Sequence, residues 1–116
     1  MEQLSGESSL LRIFTGELDK YKRRPLYEAI VYFAKRKGLA GATVQKGIMS
    51  FGASSIVKTA KTLALSHDLP IIIEIIDKTE KIEQFIKELE PYFEKSKYGG
   101  IVTIEKANVI YYFPKT

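Results

Sequence analysis

Apolar residues recur along this chain with two different periods, and the period assigns the elements. From Ser8 to Gly16 the large apolar side chains fall on both sides of an alternating pattern, Leu11 and Ile13 on one and Leu10 and Phe14 on the other. That pattern predicts an interior strand. Leu69 to Asp77, LPIIIEIID, is the strongest strand signal, β-branched and almost continuously apolar. Gly41 to Phe51 predicts a further strand, with Gly47 marking a bulge or a close backbone approach. Ile101 to Phe113 predicts the last, its alternation slipping near Lys106 to Asn108. The helical period takes over twice. Leu26, Ile30, Phe33 and Ala34 follow Pro25, whose missing amide is harmless in a first turn, and Gly38 is a fitting stop. Ile82, Phe85, Ile86, Leu89 and Phe93 make one apolar stripe behind Asp77 to Glu80, DKTE, which reads as a capping box; Pro91 predicts an irregular final turn.

The order is βαββαβ. It predicts an α+β, ferredoxin-like fold in which two helices cover one face of a four-stranded antiparallel sheet, with residues 1–116 as a single domain. Helices on one side leave the other bare, yet the third strand carries isoleucine on both: Ile71, Ile73 and Ile75 against Ile72 and Ile76. Each isoleucine left wet forfeits about 1.5–3 kcal/mol, large beside a total stability of roughly 5–15. The second face therefore requires cover. Either copies of the chain associate through it, or the C-terminal strand or the middle segment folds over it.

Composition narrows the chemistry. The chain has 116 residues, no cysteine and a formal charge of +4, so disulfides and thiolate metal sites are excluded, while the positive balance suits an anionic partner without choosing between nucleotide, nucleic acid and membrane surface. No basic start followed by an apolar stretch opens the chain and no run reaches the length of a membrane span, which predicts a cytoplasmic protein. His67 is the only histidine and lies in a polar turn beside Asp68; no nucleophile, base and orienter set accompanies it, and no metal-ligand spacing is present. The expectation is a protein that is not an enzyme.

Several spaced motifs carry a resemblance. TVQKGIMSFGASS after GLAGA resembles the signature that leads from the second strand into the large loop of P-II signalling proteins: Thr43 and Val44 match its Thr-Val pair, Phe51 and Gly52 the end of its Gly-Phe-Gly triplet, and Ser50 replaces the first glycine. With PLYEAIV, DLP, IEIID and YGGIVTIE, the chain from Leu11 to Tyr112 looks like the P-II-like family of small bacterial and archaeal proteins. The resemblance implies a ferredoxin-like homotrimer with nucleotide-sized clefts between subunits, an adenine nucleotide (AMP, ADP or ATP) as ligand with no required cofactor, and regulation rather than catalysis. It also implies a loop that changes shape on binding and docks on a partner such as a membrane transporter, channel or enzyme; relatives of this kind are often associated with fluoride exporters. The sequence departs from P-II proteins in a short middle segment without a tyrosine to be uridylylated. It also has no Arg or Lys in LPIIIEI or VIYYF, where P-II proteins place phosphate-holding cations. A mono- or diphosphate fits this better than a triphosphate.

The nucleotide-binding candidates are Thr43, Ser50, Phe51, Gly52, Ala53, Ser54 and Ser55, with Lys97, Gly99 and Gly100. Gly52 opens backbone geometry, Ala53 keeps the approach clear, and Ser54 and Ser55 offer hydroxyls and, where a helix starts, free amides; Lys58 and Lys61 supply charge. The alternative is a plain turn at Gly52 and a cap at Ser54. KSKYGG, Lys95 to Gly100, reads equally as a phosphate-wrapping loop or as a helix end with favourable cations. Glu74, alone among isoleucines, reads as a ligand or interface acceptor or as the ion-pair partner of Arg12. Two other classes share the strand order. A single-stranded nucleic-acid module would need stacking aromatics and a glycine in the third strand, which LPIIIEIID lacks. An acylphosphatase-like hydrolase would need an arginine cradle and a positioned asparagine, whereas Asn108, the only asparagine, falls in the last strand.

Overall fold

The first strand, β1 (Gly6–Gly16), forms the middle of the molecule because both its edges are taken. A computed structural model describes residues 6–52, 57–60, 68–94 and 100–115. In chain order β1 is followed by a small ribbon of β2 (Lys20–Tyr21) and β3 (Arg24–Pro25), helix α1 (Leu26–Arg36) and β4 (Thr43–Lys46). Then come a second ribbon of β5 (Met49–Ser50) and β6 (Lys58–Thr59), and finally β7 (Pro70–Lys78), α2 (Thr79–Glu94) and β8 (Ile101–Val109). The main sheet has four strands in the order β4-β7-β1-β8, all pairs antiparallel. That is the ferredoxin-like arrangement expected from the pattern.

Alternation decides which face of this sheet is dry. Leu11 and Ile13 of β1 and Ile71, Ile73 and Ile75 of β7 point to the helices and are at most 3% exposed, closing a core with Leu26 and Ile30 of α1 and Ile82, Phe85 and Leu89 of α2. Phe85 stacks on Phe33 with ring centroids 5.2 Å apart, joining the two helices. α1 ends as its glycine predicts. Gly38 takes φ +77°, and the Leu39 amide reaches back to the Ala34 carbonyl at 3.2 Å, closing a left-handed cap.

Three sequence expectations are corrected. The Gly41–Phe51 strand is two pieces, since β4 stops at Lys46 and β5 pairs with β6 in a separate ribbon. The break is at Gly47, whose amide donates to the Pro70 carbonyl at 2.8 Å and where a Cβ would lie 2.6 Å from the Pro70 ring, so the close approach read from the glycine is real. The last strand ends at Val109 rather than Phe113, without a slip at Lys106–Asn108: Ser9 pairs with Lys106, Ser8 with Ala107 and Glu7 with Asn108. Its final described pairing sets Val109 opposite Gly6. Asp77 is not a helix cap. β7 continues through Lys78, still paired with Ser8, and the buried Asp77 carboxylate instead accepts the Ala40 amide at 2.9 Å and meets Lys81 Nζ at 3.3 Å. Between β1 and α1 the β2–β3 ribbon turns at Lys22 (φ 58°) and packs through Tyr21 on Tyr92, ring centroids 4.4 Å apart. Pro91 lies inside α2, which runs on to Glu94.

Candidate functional site

On the face of the sheet away from the helices the register lines up the even-numbered residues of β1 and β7 in rows. One row crosses all four strands and is polar: Thr43 pairs with Glu74, Glu74 with Arg12, and Arg12 with Thr103. Arg12 Nε donates to Glu74 Oε2 at 2.8 Å, and a terminal guanidinium nitrogen of Arg12 donates to Glu105 Oε1. The Glu74 hydrogen bond is the main force holding the Arg12 guanidinium above its ordinary pKa, with Glu105 adding to it, so this cation stays charged at any pH the fold would meet. Of the two readings of Glu74, the pair with Arg12 is the one observed.

Apolar rows flank this polar line. Toward one end of the sheet lie Ile72, Phe14 and Ile101, paired in series, with Gln45 at the β4 edge; toward the other lie Ile76 and Leu10. Ile76 is 40% and Ile101 61% exposed. The face that the sequence marks as needing cover is uncovered by the described residues, and the C-terminal strand extends the sheet edge instead of crossing it.

Removing the cation from this row tests it. Arg12→Met should lower stability at neutral pH, since Glu74 and Glu105 would share a site without their counter-ion. Urea titration at neutral pH measures this, and an unchanged midpoint would show the row to be electrostatically idle.

The described loop candidates distribute themselves unevenly. Thr43 opens β4 on the polar row. Ser50 lies on the second ribbon, opposite Lys58, and Phe51 and Gly52 follow it, Phe51 being 70% exposed. A Cβ at Gly52 would meet nothing within 4 Å and its φ is not left-handed, so the special backbone expected of it is absent. Gly100 is different: it enters β8 with room for no side chain, a Cβ falling 2.8 Å from the Phe14 carbonyl oxygen. Gly100→Ala should therefore push β8 away from β1 and lower stability by about 1–3 kcal/mol, readable in a thermal melt against an unaffected Gly52→Ala control. Ala53, Ser54, Ser55, Lys97 and Gly99 lie outside the described residues, as do Lys61 and His67.

Both loops leave the same end of the sheet, where Lys46 faces Ile71 and Ile101 faces Phe14. They leave it from opposite edges, β4 and β8, separated by three strand spacings or about 14 Å. Within one chain the two candidate loops therefore depart from opposite edges of the sheet. Sequence reasoning also passed over Gln45, Thr103 and Glu105, which share the open face; the signal available was the alternation in TVQK and IVTIE, legible only once the register to Arg12 and Glu74 is known.

A family model described as Uncharacterized ACR, COG1993 matches residues 8–109. The chain belongs to this family, DUF190. Among its relatives are a UPF0166 protein of Aquifex aeolicus, 38% identical over 90% of this chain and 95% of the other, and the UPF0166 protein MJ1524 of Methanocaldococcus jannaschii, 33% identical over 89% and 92%. The DUF190 chain shares its fold with PII-like signalling proteins, as the motifs imply. A candidate PII-like signalling protein of Thermus thermophilus superposes with a TM-score of 0.63 at 20% identity, covering 88% of each chain. CPII, a nitrogen regulatory PII-like protein of Thiomonas intermedia solved with ADP, AMP and bicarbonate, superposes at 0.61 and 16% identity over 89% of this chain and 90% of that one. Among the described residues no helix is long and apolar enough to cross a membrane and no cluster of metal-ligating side chains occurs.

Proposed function

We propose that this protein is a non-catalytic regulator that binds an adenine nucleotide in clefts between the subunits of a homotrimer and acts on a partner protein through the β5–β6 ribbon and its loop. The observation that carries the reading is that the two candidate loops leave one end of the sheet from its opposite edges, β4 and β8. A cleft lined by both needs the β4 edge of one copy beside the β8 edge of the next, and the uncovered face with Ile72, Ile76, Phe14 and Ile101 supplies a reason for copies to meet. The nucleotides held by CPII, a protein of the same fold, support the ligand class. The lack of cations in LPIIIEI and VIYYF favours AMP or ADP over ATP.

The ribbon suits a docking element. Ile48, Met49, Phe51 and Val57 are 75, 62, 70 and 55% exposed, a concentration of exposed apolar surface that a docked partner would dry. A membrane transporter or channel, such as a fluoride exporter, is the target class the family resemblance suggests. A nucleic-acid module is the weaker reading, because the open face offers isoleucines, an arginine–glutamate pair and the single ring of Phe14 on β1, with no aromatic residue on β7.

Titration calorimetry with AMP, ADP, ATP and cyclic dinucleotides on the assembled protein tests the proposal. Heat with AMP or ADP is expected, and Gly52→Val should abolish it while leaving folding and assembly intact, since a Cβ there meets nothing within 4 Å among the described residues. Silence with every nucleotide, or uptake unchanged by Gly52→Val, would count against this site.

A further inference from the structure

We propose that the β2–β3 ribbon and the outward side of α1 form a docking surface for an anionic phospholipid membrane. Lys20, Lys22, Arg23 and Arg24 lie on the ribbon and its turn, and Lys35 and Arg36 in the last turn of α1; all six are exposed. Between Lys20 and Arg36 the only acid is Glu28. Among the described residues none of the six meets a carboxylate within ion-pair distance, in contrast to Lys37, which meets Glu88 at 3.2 Å, and Lys46, which meets Glu17 at 2.8 Å. Their charge is not cancelled, and for Lys22, Arg24 and Arg36 it is also held in place.

Aromatic rings do the holding. The Arg24 guanidinium lies 4.8 Å from the Tyr32 ring centroid, Lys22 Nζ 5.4 Å from Tyr21, and the Arg36 guanidinium 5.7 Å from Phe33. Arg36 also donates to the Tyr92 hydroxyl at 3.4 Å. Tyr92 packs between Tyr21 and Phe33, at 4.4 and 4.9 Å. The same ring cluster therefore ties the ribbon to both helices and carries cations on its rim, so the two basic segments form one surface. A ring face positions a cation but leaves its charge available.

An anionic surface is the complementary partner. A bilayer fits better than a polynucleotide, because the outside of a helix and a ribbon is not a groove that tracks a strand. Tyr32, 49% exposed, stands among the cations where an interfacial aromatic anchor is expected. The surface is on the helix side of the sheet and remains accessible whatever covers the open face.

Co-sedimentation of the whole protein with vesicles decides the matter. The protein should pellet with phosphatidylcholine vesicles containing phosphatidylglycerol, not with phosphatidylcholine alone, and added salt should release it. The triple variant Lys22→Gln, Arg23→Gln, Lys35→Gln should bind roughly 100-fold more weakly. The triple Lys87→Gln, Lys106→Gln, Lys115→Gln, with the same change in net charge elsewhere, should stay within about threefold of the native protein. Circular dichroism verifies that both triples fold, and the salt series on the native protein needs no variant. Failure to pellet with anionic vesicles, equal pelleting with neutral ones, or equal loss in both triples would overturn the assignment. Tighter binding to a single-stranded oligonucleotide than to anionic vesicles, lost in the first triple, would give the surface to nucleic acid instead.

Discussion

Aspartate at Ile72 should leave the chain folded and strip it of self-association. Ile72 stands in the apolar row between Gln45 and Phe14 on the face turned away from the helices, so its replacement leaves untouched the core built by Ile71 and Ile73 on the other side. In an assembly that dries this face, the new carboxylate would be buried without a partner, at about 3–5 kcal/mol for each copy. At 1.4 kcal/mol per decade that weakens association roughly 100- to 5,000-fold. Sedimentation velocity over a concentration series measures the change, with circular dichroism reporting the fold. Native protein that sediments as a monomer at micromolar concentration, or a variant that associates as the native protein does, would remove the basis for clefts between subunits. Nucleotide binding should vanish with association, which separates this outcome from Gly52→Val, where only binding is lost.

Alanine at Phe85 should have the largest effect on stability. The ring is 1% exposed, sits on the apolar stripe of α2 and stacks on Phe33 of α1 beneath the sheet. Truncation removes its transfer free energy and leaves a cavity that two helices and a sheet cannot close, a combination that destabilises by about 3–5 kcal/mol. Against a total of roughly 5–15 kcal/mol, that brings the protein near the edge of folding. Urea unfolding is best compared in the Ile72→Asp background, where stability does not depend on protomer concentration. A loss below about 1 kcal/mol would mean that the two helices are not joined through this ring.

How much was legible in the chain itself depends on how local the cause is. The period of apolar residues is a property of a few neighbouring positions, so it predicted both helices, the order of the sheet-forming strands, the stop at Gly38 and the tight approach at Gly47 from the sequence. It also marked β7 as apolar on both faces, which is why the uncovered face was expected before any coordinates. The capping box at Asp77 failed for a non-local reason: pairing with β1 carries β7 past the local helix signal, and Lys78 still pairs with Ser8. The length of the last strand was misjudged in the same way, because the strand-like residues of IYYF do not by themselves supply a pairing partner.

What the sequence alone determined about this protein is therefore its elements, their order and its family. Which of them touch was decided by the tertiary structure: the polar row from Thr43 to Thr103, the ion pairs of Arg12, the opposite sheet edges from which the two candidate loops leave, and the joining of the basic segments Lys20–Arg24 and Lys35–Arg36 through Tyr21, Tyr92 and Phe33. The physical reason is that propensity and period act over one or two turns, whereas register and ring packing connect residues far apart in the chain, whose contacts exist only after the sheet has closed.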